Sequence, residues 1–63
     1  MKGFISFTEE TGESEFVIYI KISDIRKICV CHYDSCDIAT KKDLHQPKES
    51  FSIIKEQIDR NGE

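Results

Sequence analysis

Sixty-three residues and 7.3 kDa provide for one small domain, residues 1–63, and 33% charged residues with a net charge of −3 leave little apolar material. A chain of this size buries only about 60% of the surface its unfolded form exposes. Most enzymes, receptors and channels are thereby excluded, and stability is expected to lean on a protein partner or a second copy.

In chain order, Phe4-Ile5-Ser6-Phe7-Thr8 reads as a first strand over 4–8, followed by a polar stretch whose Gly12 supplies the turn. Over 15–22, Phe16, Ile18, Ile20 and Ile22 alternate with Glu15, Val17, Tyr19 and Lys21, which predicts a second strand with one strongly apolar face. Ile22, Ile25 and Ile28 then recur every three residues around Ser23-Asp24, the spacing of a single helical or 3₁₀ corner. Residues 27–33 are apolar on both parities near their middle, as in a central strand, and Asp34-Ser35 makes a tight turn. Residues 36–40 alternate and pair back, and 44–46 is a candidate fifth strand that Pro47 confines to an edge.

The last element is a helix over about 49–60, with Ser50 as candidate N-cap and Asn61-Gly62 as its stop. Phe51, Ile54 and Ile58 share one stripe of this helix, and Ile53 lies about 130° from the stripe's centre. The expected fold is α+β: a small curved antiparallel sheet of four or five strands with one C-terminal helix packed on its concave face. Its expected core is Phe4, Phe7, Phe16, Ile18, Ile20, Ile25, Ile28, Val30, Ile38, Phe51, Ile54 and Ile58.

Two constellations have the residue types for chemistry. Cys29, Cys31, Cys36 and His32 include zinc's preferred ligands, but no paired C-x-x-C knuckle is present. On a strand Cys29 and Cys31 share one face and His32 the other, so the two thiols read more simply as small buried hydrophobes. A Cys-His nucleophile would also need an orienting group, and no glycine-rich phosphate loop is present, so no enzyme signature, cofactor site or resident metal is expected.

Charge divides the chain. Residues 1–20 hold one Lys and four Glu, 21–48 hold six cations against four Asp, and 49–63 hold two cations against four acids. The middle stretch offers Lys21, Arg26, Lys27, Lys41 and Lys42 as a nucleic-acid patch, which the acidic ends oppose. No signal-peptide core and no spanning apolar run is present, so a cytoplasmic protein without membrane insertion is expected.

The run from Glu15 to Ile58, with its Ser23-Asp24-Ile25-Arg26-Lys27-Ile28 corner, its Cys36-Asp37-Ile38-Ala39-Thr40 strand and its Lys48-Glu49-Ser50 step into the helix, resembles the FlbD-like family of very small bacterial proteins. The resemblance implies the sheet-plus-helix fold and an accessory role. The residues themselves lead to a similar expectation. Ile53, Val17, Tyr19 and Tyr33 are apolar side chains that no expected element covers, which marks a non-enzymatic, self-associating interaction module. A nucleic-acid-binding module and a zinc-stabilised module are the alternatives.

Overall fold

Alternation beginning at Phe4 folds into a hairpin in the computed structural model, which describes residues 2–62. Strand β1 (Phe4–Thr11) pairs antiparallel with β2 (Ser14–Lys21), from Phe4 opposite Lys21 to Thr11 opposite Ser14. β1 runs three residues beyond the expected 4–8, and β2 begins one residue before the expected 15, because the turn needs only Gly12 and Glu13. Gly12, at φ +60°, takes the first central position with the left-handed backbone that a type II′ turn requires there.

A 3₁₀ turn at Ile22–Asp24 makes the expected corner and leads into β3 (Ile25–Val30). β3 pairs with β4 (Cys36–Thr40), with an irregularity between Ile25 and Lys27, and β4 pairs with the short β5 (Leu44–His45). The five strands thus divide at the corner into two antiparallel sheets, β1-β2 and β3-β4-β5. The helix α1 (Phe51–Asn61) closes the α+β fold.

Both sheets bury the faces that point toward each other and toward α1. Ile5, Phe7, Cys36, Ile38 and Ile54 are at most 2% exposed, and Ile18, Ile20, Ile22, Ile25, Ile28, Phe51 and Ile58 pack against them. Strand parity settles where the expected core is corrected. Ile5 and Phe7 face inward opposite Ile20 and Ile18, so Phe4 belongs to the other face and Ile5 takes its place. Phe16 and Val30 are about half exposed, at 50% and 53%, because each stands near the end of its strand beyond the reach of the packed centre. Cys36 is the buried thiol, since it shares the inner face of β4 with Ile38. Cys29 lies opposite Asp37 on the outer face, so it and Cys31 are exposed instead of packed.

β3 ends at Val30, three residues before the expected end at Tyr33. The Cys31 amide donates to the Ser35 carbonyl at 2.7 Å, which closes the β3–β4 connection around a 3₁₀ turn at His32–Asp34. Tyr33 and Asp34 are left-handed there, at φ +59° and +63°. For a residue with a Cβ this costs about 1–2 kcal/mol relative to the right-handed region.

The helix is positioned by what the strands lack. In a two-stranded ribbon β1 has a bare outer edge, and the segment from Lys48 to Asn61 seals it. The Gln57 carboxamide accepts from the Ser6 amide at 2.9 Å and donates to the Ser6 carbonyl at 2.7 Å, the two bonds a neighbouring strand would make. Glu49 Oε1 accepts from the Thr8 amide at 2.8 Å, the Lys48 amide donates to the Thr8 carbonyl at 2.8 Å, and Asn61 donates to the Phe4 carbonyl at 3.1 Å.

The helix ends are held from outside as well. Ser50 takes the N-cap backbone position with no side-chain cap bond; Asp34 Oδ2 instead accepts from the Ser52 amide at 3.2 Å and its hydroxyl at 2.6 Å. Gly62 stops the helix in extended backbone, at φ −76° and ψ 165°, and is needed for closeness: a Cβ there would stand 2.7 Å from the Ile58 carbonyl oxygen.

Gln57→Ala strips both partners from the half-buried Ser6 main chain and is expected to destabilise the fold by about 1–3 kcal/mol in urea denaturation. Glu56→Ala, one residue away on the exposed face, should stay within about 0.5 kcal/mol.

Candidate interaction surface

Sealing the outer edge of β1 fixes the state of the opposite edge of the same sheet. Ser6 and Thr8 direct their amides and carbonyls away from β2, to Gln57, Glu49 and Lys48. In an antiparallel ladder directly opposed residues either both bond across the pair or both point away from it. Tyr19 lies opposite Ser6 and Val17 opposite Thr8, so both point their main chains to the far side of β2. Among the described residues no strand pairs with that side, and Val17 and Tyr19 are exposed along it. An eight-residue strand with an open edge is a template for pairing unless something blunts it.

The side chains along this edge are apolar and uncovered. Val17 is 65% exposed and Tyr19 59%, with Glu15 and Lys21 at the two ends of the same face. Lys48 bridges the Glu15 end, with Nζ at 2.5 Å from Glu15 Oε2 and 3.6 Å from Glu10 Oε2. This contact holds the Glu15 carboxyl below its ordinary range and the Lys48 ammonium above its own.

The Lys21 end opens on a cleft of about 410 Å³ that Tyr19, Lys21, Lys41 and Lys42 line together with Asp24 and Asp43. Three of the five expected nucleic-acid residues therefore gather at one place, while Arg26 and Lys27 stand exposed on β3 and do not line it. The two aspartates share the cleft with the three lysines, so it presents a modest positive charge.

The other expected interaction residues are placed apart. Ile53 is 47% exposed on α1, off the Phe51-Ile54-Ile58 stripe as its angle requires. Tyr33 is fully exposed, but in the left-handed turn between β3 and β4, and so it does not extend the strand face of Val17 and Tyr19. The Asp34 contact to Ser52 pins that turn to the helix.

The cysteines do not converge. Cys36 points into the core, where burial pushes its thiol up, while Cys29, Cys31 and His32 face solvent. His45 packs edge-on against Phe7, with ring centroids 5.5 Å apart, and places Nδ1 3.4 Å from Glu9 Oε1. The other Glu9 oxygen accepts from the Gln46 amide at 2.6 Å, so this inward-facing carboxylate ties β5 to the first hairpin. Among the described residues no three of His, Cys, Asp and Glu stand close enough together to hold a metal ion. No described helix is long and apolar enough to cross a membrane.

Glu49, Gln57, Asn61 and Asp34 are the residues that sequence reasoning passed over. A signal for one of them existed: Asn61 lies about 20° from Ile54 around the helix, at the margin of the apolar arc, where a carboxamide needs a partner, while Gln57 lies about 60° from Ile54 on the side away from Phe51 and Ile58, outside the arc. No family model, no curated protein and no solved structure matches the chain.

Two outcomes check this geometry. In dilute protein the amides of Val17 and Tyr19 should exchange hydrogen at nearly unprotected rates, while those of Ser6 and Thr8 are protected. Bonds from Ser52 hold the Asp34 carboxyl below the ordinary aspartate range. Its stabilising effect is therefore complete above the unfolded-state pKa and disappears as the pH falls through the lowered folded value. Asp34→Asn, which keeps an acceptor and tolerates the left-handed turn, should flatten the acid limb of the stability curve by lowering stability at neutral pH, and should leave stability below the folded pKa nearly unchanged.

Proposed function

We infer that the protein is a non-enzymatic interaction module, an accessory subunit of the kind its FlbD-like sequence features suggest, that docks through the outer edge of β2. The observation that carries this reading is the contrast between two edges of one sheet. Side chains and main chain of the 48–61 segment bond to the edge of β1 at Phe4, Ser6 and Thr8, whereas among the described residues none bonds to the outward main chain of Val17 and Tyr19, whose side chains are exposed. A peptide strand added to such an edge gains main-chain hydrogen bonds for affinity, and alternate side chains set its specificity. The small size of the chain supports the same reading, since a domain of this length gains stability from a partner.

Affinity capture from the source cells with the wild-type chain and with Val17→Lys as paired baits tests it. A charge at Val17 is the device by which natural edge strands refuse partners, and the side chain is exposed, so the fold is retained. Proteins held by the wild type should be lost from the Val17→Lys bait. The same set on both baits would show that docking lies elsewhere.

A further inference from the structure

Glu15, Val17, Tyr19 and Lys21 alternate along β2, and by the parity that Ser6 and Thr8 impose, all four direct their main chains outward. We propose that the occupant of this edge is the β2 strand of a second copy, laid antiparallel about a two-fold axis at Ile18, with Glu15 opposite Lys21 of the second copy and Val17 opposite its Tyr19. This rests on the reading of the β2 edge as the docking element and adds the partner and the register.

The register follows from three constraints. Main-chain bonding demands that outward residues face outward residues, so a slip of one position is forbidden. A slip of two in either direction separates Glu15 from Lys21 and sets Val17 or Tyr19 opposite itself. The proposed alignment alone gives every outward residue a suitable partner: an ion pair at each end and an aromatic–β-branched pair on each side of the axis. Lys48 occupies Oε2 of Glu15, and Oε1 lies outside that contact.

Charge beyond the strand agrees. The hairpin tip carries Glu10, Glu13 and Glu15, and in this arrangement it arrives at the cleft of the second copy where Lys21, Lys41 and Lys42 gather. The acidic first third of the chain thus meets part of its basic middle across the axis. Assembly also stops at two. The product is a four-stranded sheet with β2 strands at its centre and a β1 strand at each margin, and the 48–61 segment has sealed both margins. The interface is isologous and closed.

Sedimentation velocity or light scattering from about 10 µM to about 1 mM, with folding checked by circular dichroism, is the experiment. The wild type should reach twice 7.3 kDa as concentration rises, and Val17→Lys should not. Glu15→Lys and Lys21→Glu each set like charges face to face at both ends, and each alone should weaken association roughly tenfold. Mixed in equal amounts the two variants should recover it, because every Lys at 15 then faces a Glu at 21 and the reverse. Recovery on mixing is specific to this register.

A wild type that stays at 7.3 kDa throughout overturns the second-copy proposal while leaving the edge reading to the paired-bait comparison. Doubled mass that Val17→Lys and the charge variants leave untouched overturns the edge and the register together. Growth beyond two copies overturns the closed assembly.

Discussion

The paired hydrogen bonds between the Gln57 carboxamide and the main chain of Ser6 are the constraint on which the rest of the structure depends. A two-stranded ribbon has no stability of its own in water, and it becomes a wall of the core only when a third element is fixed against it. Apolar packing by Ile54 and Ile58 brings the helix near but leaves it free to slide, because burial has no direction. The carboxamide has direction, and with Glu49 and Asn61 it sets the height of the helix along β1. The two-residue turn at Gly12-Glu13 sets the hairpin register, and with it which residues of β1 and of β2 point their main chains outward. The helix takes up the outward groups of β1, and the same register leaves those of Val17 and Tyr19 on the far margin of β2.

A second set of polar contacts ties the remaining parts to this frame. Asp34 reaches from the β3–β4 turn to the first turn of the helix, and Glu9 reaches from the inner face of the hairpin to β5. Both are carboxylates meeting main-chain amides that would otherwise lack a partner. The left-handed turn that carries Tyr33 is held in place by the first of these contacts, so a conformation with an intrinsic cost is kept and a fully exposed aromatic ring is presented on it.

Local pattern was enough to find most of the architecture. Period two located β2 and β4, three-residue spacing located the Ile22–Asp24 corner, and Ser50 and Gly62 bracket the helix where expected, although Ser50 makes no side-chain cap bond and Gly62 is extended. The errors share a cause. Phe4 against Ile5, and Cys29 against Cys36, are choices between two parities of a strand, and a run apolar on both leaves the choice to tertiary pairing. The division into two sheets likewise depends on which strands meet. The exposure of Val17, Tyr19 and Ile53 was legible because alternation and helical angle give an exposed side directly. Tyr33 was misplaced because the Cys31–Ser35 closure of a turn has no signature in residues whose β propensity is high.

The partners that seal β1 lie far along the chain: Gln57 is 51 residues from Ser6 and Glu49 is 41 from Thr8. During synthesis the β1–β2 hairpin therefore emerges with both margins bare, and it remains so until Glu49 and Gln57 have followed. Contacts of such separation form late, after the entropy of closing a long loop has been spent, and they slow folding. The interval before they form is the time when either margin of the hairpin is open to mispairing. The fold thus has a long-range dependence in time: β1 acquires its final boundary from α1.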